Sequence, residues 1–211
     1  MSLAGYAAEN GWMLTVQKSF GGLQRRLRDR LLERKLGTTG LGLGRLPRLM
    51  GLSHMKVGAN FKAADGLWLE AVTEYGGKMY TPQLSIGANC NLSSYVHIAC
   101  TNRVTIGEGL LCGSGVTITD HAHGQYRGHG QTGPELRPAV RRLSNDGVVV
   151  IGKNVWLGDG VVVLAGADIG DGAVIGANSV VNGVVPAGVI AVGAPARVVR
   201  EWDGSAWAKG E

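Results

Sequence analysis

Three cysteines, two phenylalanines and six prolines among 211 residues deny this sequence the materials of several protein classes. Cys90, Cys100 and Cys112 lack the paired spacing of zinc ligands, and so few thiols cannot staple a small secreted scaffold. No stretch reaches the roughly 18 apolar residues of a membrane span, and no compact apolar run marks a signal peptide, so a cytoplasmic protein is expected. Charge is sparse as well, at 18% of residues, with a formal excess of +5. That excess suits an anionic ligand. Zinc knuckles, a recognition-helix signature and a stacking platform of aromatics are missing, so no nucleic-acid partner is expected. With 45% hydrophobic residues the chain can still bury a core, and one folding unit is the expectation.

Glycine, by contrast, is abundant: 35 copies, far above the usual share of roughly 7%, and without the triplet period of collagen. Many stand beside a second regularity. Ile151, Leu157, Val163, Ile169, Ile175 and Val181 recur at every sixth position, and Gly152, Gly158, Gly170 and Gly176 follow four of them. A six-residue period fits neither a lone helix nor an ordinary strand. It fits a coil of short strands, each with one inward aliphatic and a tight turn, three hexads closing one triangular circuit. The same phase runs through Ile86, Leu92 and Ile98 and restarts at Ile106, Cys112 and Ile118, where Cys112 reads as a small buried hydrophobe. Val57-Gly58 is the expected start of the first coil, and Asp65 to Tyr80 is irregular.

Two interruptions stand out. The step from Ile98 to Ile106 is two residues too long for a hexad and predicts a protruding corner bulge around Cys100 to Arg103. From Ile118 to Val148 the hexads stop, and Asp120, His121, His123, Tyr126, Arg127, His129, Arg137, Arg141 and Arg142 gather instead. A long polar loop on a regular scaffold points to function. Upstream, residues 1–17 read as loosely attached. From Phe20, Leu23, Leu27, Leu31, Leu32 and Leu36 alternate with Arg25, Arg26, Arg28, Arg30, Arg34 and Lys35, predicting a basic amphipathic helix. It would pack on the end of the stack or on a neighbouring subunit, or make a peripheral contact with anionic lipid at the inner face of the membrane. Gly37 to Gly51 reads as a linker. The expected units are an extension over 1–56, a coil stack over 57–185 with a loop insertion near 120–147, and a closing segment over 186–211.

Three features together resemble the left-handed β-helix acyltransferases with hexapeptide repeats: the hexads, the run Asn154-Val155-Trp156-Leu157-Gly158, and Gly193-Ala194-Pro195-Ala196-Arg197. The similarity spans roughly 57–200. Within that family, Ile118-Thr119-Asp120-His121-Ala122-His123-Gly124 and Tyr126 resemble the branch of polysaccharide O-acetyltransferases that act on capsule, O-antigen and colanic acid. The resemblance implies an all-β fold, a left-handed parallel β-helix, assembled as a homotrimer with active sites between subunits. It further implies acetyl-CoA as co-substrate, no required metal, and a hydroxyl of a sugar or polysaccharide precursor as acceptor.

For such a transfer, a histidine near neutral pKa can take the hydroxyl proton and return one to the departing thiolate. His121 matches the family histidine and is the expected general base, in direct transfer within a ternary complex. His123 is its rival, and Asp120 would set a tautomer or cap a turn. On the donor side the resemblance implies a groove with Gly158, Gly160, Ala165 and Ala177, closed by Trp156, with Arg197 and Arg200 meeting phosphate. On the acceptor side it leaves Asn91, Ser93, Ser94, Tyr95, His97, Asn102, Tyr126 and Arg127 as candidates. Two other readings remain open. One is a γ-type carbonic anhydrase-like metalloenzyme, with His97, His121 and His123 or His129 as ligands. The other is a noncatalytic β-helix scaffold that binds nucleotide sugars.

Overall fold

A computed structural model describes residues 8, 11–144 and 147–209, and for residues 12–20 the backbone alone. The first element is the helix Trp12–Leu36, which ends where Gly37 adopts a left-handed φ of 65° and donates its N–H to the Glu33 carbonyl. It starts within the segment expected to be loose, and it runs through Gly21 and Gly22 without a break. The expectation for residues 1–7, 9 and 10 lies outside the described residues.

The rest of the chain winds into a left-handed parallel β-helix of three sheets, with each coil contributing one strand to each. Inward aliphatics stack in columns because the ladders keep register. Leu92, Cys112, Leu157 and Ile175 form one column, Leu69, Ile98, Ile118, Val163 and Val181 a second, and Ile86, Ile106, Ile151, Ile169 and Val185 a third. All are buried, and their removal from water, at roughly 25 cal/mol per Å² of apolar surface, drives the stacking. Glycine serves the corners, where coils approach closely. A Cβ on Gly107 would lie 2.6 Å from the carbonyl carbon and oxygen of Gly152 in the next coil.

The stack begins earlier than Val57. Gly42–Leu43, Arg48–Met50 and Met55–Val57 pair residue for residue with the coil above, so the segment read as a linker is mostly a coil. The inward positions of this coil are Leu43, Leu49 and Val57, paired with Ala63, Leu69 and Ile86, and the step from Leu49 to Val57, two residues longer than a hexad around the turn Leu52–His54, hides the coil in sequence. The helix seals this end. Leu32 and Leu36 pack on the core. The buried Asp29 accepts the Leu43 N–H at 3.1 Å, Arg28 donates to the Leu43 carbonyl at 2.7 Å, and Glu33 accepts the Leu41 N–H at 2.8 Å. The open edge of the first strand is thereby supplied with partners. At the other end Val189–Val192 turns back antiparallel into Arg197–Trp202 and then Trp207–Lys209.

Every interruption of the hexads falls at the same corner, between the second and third sheets. Residues 72–82 leave the stack there and form a hairpin, Glu74–Tyr75 against Lys78–Met79. One coil on, Thr101 and Asn102 are the two extra residues, and on the next coil residues 120–147 form the long loop. The bulge at 100–103 does not protrude as expected: Cys100 and Thr101 are fully buried. The reason is a carboxylate that reaches them from the coil above.

Candidate active site

That carboxylate is Asp120, buried completely at the point where the loop leaves the stack. The ladder pairs His97, Ile98 and Ala99 with Thr117, Ile118 and Thr119, so Asp120 continues the register above Cys100 and reaches the irregular corner. Its Oδ1 accepts the Thr101 N–H at 2.8 Å and its Oδ2 the Asn102 N–H at 2.8 Å, while the Cys100 thiol donates to Oδ2 at 3.3 Å. The Thr101 hydroxyl lies 3.2 Å from Oδ1 and 3.1 Å from the Ser144 carbonyl, and its single proton serves one of them at a time. Burial alone would push the carboxyl's pKa up. Hydrogen bonds from His121 and from the Thr101 and Asn102 N–H groups overcome it and hold the group below the usual carboxylate range.

The remaining bond at Oδ1 goes to His121, whose Nδ1 stands 2.9 Å away. An ionised Asp120 accepts only, so Nδ1 carries a proton toward it and Nε2 is left for other chemistry. His121 also has Thr119 Oγ1 at 3.3 Å from Nδ1. The ring is mostly enclosed, its side chain 11% exposed, and it lines a cavity of about 360 Å³ together with Tyr126, Arg127, Ser144, Ala165 and Asn182. Expected donor and acceptor residues thus meet at one place, with Ala165 brought beside Tyr126 and Arg127.

The other expected residues are distributed around the stack. His123 is not in the Asp120 network. It meets the Tyr75 ring edge-on at 5.1 Å, and its carbonyl accepts the Tyr126 hydroxyl at 2.5 Å. His97 lies on the same sheet face as Thr117 and stacks on Trp68 with centroids 4.0 Å apart. Its Nε2 is buried without a hydrogen-bond partner, as is the indole nitrogen of Trp68. Burial lowers the pKa of His97, against a pull from Glu70 and with a small further push from His121. Asn91 sits in the first sheet, opposite Lys62 and Leu111, with its amide on the Asn89 carbonyl at 3.2 Å. Within one chain neither it nor Ser93 or Tyr95 lines the His121 cavity. Trp156 is half-exposed in that first sheet, between Leu111 and Val174. Gly158 faces Ala177 so closely that a Cβ on it would lie 2.7 Å from the Ala177 nitrogen, and Gly160 turns the next corner with a φ of 66°. Arg197 and Arg200 are exposed on the closing strand. Each spends one guanidinium nitrogen on a main-chain carbonyl, of Ala196 at 3.0 Å and of Trp207 at 3.2 Å. Among the described residues no carboxylate pairs with either guanidinium. Among the described residues of one chain, no three histidine, cysteine or acidic side chains converge as metal ligands.

Several contributors escaped the sequence reading. The hairpin 74–79 carries Tyr75 and leads to Tyr80, whose hydroxyl accepts the Leu143 N–H at 3.0 Å and donates to the Leu143 carbonyl at 3.1 Å, tying the returning loop down. Ser144 Oγ accepts the Ala122 N–H at 2.9 Å, whereas Asn102, an expected acceptor candidate, donates to the Gly147 carbonyl at 2.8 Å. The usable signal was the coil register itself, which sets residue 120 over residue 100.

Comparison with known proteins bears on what this corner does. Residues 149–183 match the family model described as bacterial transferase hexapeptide (six repeats). The Escherichia coli strain K12 protein WbbJ, named for O-acetyl transfer in lipopolysaccharide biosynthesis, is 40% identical over 147 residues, covering 69% of this chain and 71% of that protein. The galactoside O-acetyltransferase of the same organism is 34% identical over 137 residues, covering 65% of this chain and 62%, or less than two thirds, of that protein. Among solved structures, a galactoside acetyltransferase in complex with coenzyme A superposes with a TM-score of 0.53 at 26% identity, covering 87% of this chain and 77% of that one. The N-acyltransferase AntD of Bacillus cereus, in complex with dTDP and 3-hydroxybutyryl-CoA, shares the fold with a TM-score of 0.63 at 16% identity, covering 82% and 86%. The chain therefore belongs to the bacterial hexapeptide-repeat transferases and is an acyl-CoA-dependent acyltransferase of their O-acetyltransferase group.

Proposed function

We propose that this protein transfers an acetyl group from acetyl-CoA to a hydroxyl of a sugar within a polysaccharide precursor, with His121 as general base. The observation that carries this reading is the Asp120–His121 pair: Nδ1 held at 2.9 Å by a buried carboxylate, in a residue that lines a cavity of about 360 Å³. Acetyl-CoA supplies an activated thioester. His121 Nε2 accepts the proton of the attacking hydroxyl, Asp120 steadies the imidazolium so formed, and the same proton passes to the departing thiolate. Arg197 and Arg200 hold phosphate, and Trp156, Gly158, Gly160 and Ala177 border the donor groove. Asn91, Ser93 and Tyr95 approach the acceptor from an adjoining subunit of a homotrimer, and His97 approaches it from the strand beneath His121. In support of such assembly, Leu111 and Trp156 form an exposed apolar pair on the first sheet. In the same reading the protein works in the cytoplasm, with the exposed Leu23, Leu27 and Leu31 of the N-terminal helix available to the membrane surface.

The test is CoA release from acetyl-CoA over a panel of sugars, nucleotide sugars and lipid-linked glycans. Wild type, His121→Ala and His123→Ala are compared after each is checked for assembly. Saccharide-dependent turnover that falls by roughly 10²–10⁴ in His121→Ala and stays within a few fold in His123→Ala is the expected result. Selective loss in His123→Ala would transfer the role of base, and wild type inert toward every saccharide would overturn the reading.

A further inference from the structure

The two insertions meet over the active corner and enclose a second recess. Tyr75 of the hairpin donates to the Ala139 carbonyl at 3.0 Å, and Tyr80 is bonded to Leu143 as described above, so hairpin and loop form one body. Between them lies a cavity of about 290 Å³, lined by Lys78 from the hairpin and by Thr132 and Arg142 from the loop. Gln125 and Ser144 line both this cavity and that of His121, and so form a shared wall. Each space alone sits near the lower end of the roughly 300–1,000 Å³ of ligand sites, and the two side by side accommodate an extended molecule.

We propose that the second recess binds a phosphate or diphosphate group on the acceptor, through Lys78 and Arg142, while the sugar occupies the His121 cavity. This rests on the acetyl-transfer reading and names its acceptor class: a glycosyl phosphate or diphosphate rather than a neutral sugar. The charges carry the argument. Among the described residues, no ion pair joins Lys78, Arg127 or Arg142 to a carboxylate. Lys78 is half-buried with its ammonium 5.0 Å over the Tyr80 ring, which orients it without neutralising it. Arg141, the neighbour of Arg142, is different. Its guanidinium bonds the Leu136 carbonyl and the Tyr126 hydroxyl, both at 2.7 Å, and the Pro134 carbonyl at 3.4 Å, and it shapes the loop. Lys78 and Arg142 both line this recess, where like charges repel each other until an anion enters, and a phosphate offers charge-assisted bonds to both. Gly130 adds a backbone approach, since a Cβ there would meet nothing within 4 Å.

Titration calorimetry of inorganic pyrophosphate into the full-length protein, at low salt and saturated with CoA, tests the recess apart from catalysis. Saturation with CoA removes the donor's own phosphate sites from the measurement. Wild type and His121→Ala should bind alike. Lys78→Gln and Arg142→Gln should each weaken binding by about tenfold or more, Arg142→Lys should restore most of it, and added salt should weaken it. Kinetics then separates the sources. A hexose 1-phosphate, a nucleotide diphosphate hexose and a polyprenyl diphosphate hexose are compared with the methyl hexoside and a uronic acid. KM for phosphorylated acceptors should rise in Lys78→Gln and Arg142→Gln, with acetyl-CoA KM unchanged. Equal pyrophosphate binding in all variants, no binding once CoA is bound, a shift in acetyl-CoA KM, or preference for the uronic acid would each overturn the proposal. Intact pyrophosphate binding without CoA release from any acceptor would instead refute the acetyl-transfer reading and leave the anion site standing.

Discussion

Replacing Asp120 by asparagine should damage folding and chemistry together, and by amounts that the geometry sets. The carboxylate accepts two main-chain N–H groups at 2.8 Å, the His121 Nδ1–H at 2.9 Å and the Cys100 thiol at 3.3 Å, in a site with no solvent access. An asparagine keeps one acceptor oxygen and turns an NH₂ toward donors, so at least one main-chain N–H loses its partner at about 1–3 kcal/mol. The loss of charge-assisted bonds to the others brings the total to about 3–5 kcal/mol. For a chain of this length that lowers Tm by roughly 10 °C. Turnover should fall by roughly 10²–10⁴, because His121 loses the group that fixes its tautomer. Differential scanning calorimetry and CoA release, run on Asp120→Asn beside His121→Ala at equal protein concentration, separate the two effects. His121→Ala should lose turnover while melting within a few degrees of wild type. The pH profile adds a third readout. Asp120 ionises below its unfolded value of about 3.9, so its contribution is present above that value and disappears as pH falls through the lower folded pKa. That part of acid unfolding should be missing in Asp120→Asn. A variant with wild-type Tm and turnover, or one in which His121→Ala melts as early as Asp120→Asn, refutes the reasoning.

Other consequences can be checked singly. Tyr80→Phe removes the hydroxyl that both accepts from and donates to Leu143; it should cost about 1–3 kcal/mol locally, raise acceptor KM, and expose residues 120–147 to limited proteolysis while the stack melts near its normal temperature. Burial first, then Asp120, pushes the Cys100 thiol up to about 12, and burial, then Cys90, does the same for Cys112. Both should resist iodoacetamide at pH 8 in the native protein, as judged by intact mass, and rapid labelling of Cys100 would mean that the corner opens. Gly147→Ala would drive a Cβ into the Asp120 carbonyl and to 2.8 Å from the Ala165 Cβ. A destabilisation of about 1–3 kcal/mol with a matching fall in kcat is expected, and unchanged kcat would show that Asp120 tolerates a shift.

The parts of this fold that were legible in sequence are those in which inward aliphatics and corner glycines repeat without interruption, from Ile151 to Val181 above all. The first coil was harder to see because the step from Leu49 to Val57 is two residues longer than a hexad, Leu49 is only partly buried and the turn at Arg45-Leu46-Pro47 looks like a connector. The helix started early for a different reason: its stability comes from contacts with the stack at Leu32, Leu36 and Asp29, which periodicity from Phe20 onward does not report. At the site, the neighbours Asp120 and His121 could be read directly. Thr101, Asn102 and Cys100 could not, because their bonds to Asp120 cross 18 to 20 residues of chain. Only the ladder register brings them together, and an extra pair of residues in the lower coil hides that register from a six-residue count. The same extra pair led to the expectation of a bulge pointing outward.

The placement of the hexad interruptions at one corner has a physical logic. A parallel stack satisfies its backbone through neighbouring coils, so any residue added to one coil leaves N–H groups without a partner in the next. At Thr101 and Asn102 the deficit is two N–H groups, and a single carboxylate at the mouth of the loop above satisfies both. A carboxylate so placed directly follows the strand Thr117–Thr119 and is fixed by the Thr101 and Asn102 N–H groups, and its oxygen Oδ1 can therefore orient His121 with little freedom to drift. The repair of the irregular corner and the orientation of the imidazole are then one arrangement. Substitutions at Thr101 or Asn102 that disturb the corner should reach His121 through Asp120, although neither residue lines the cavity where acetyl transfer is proposed to take place.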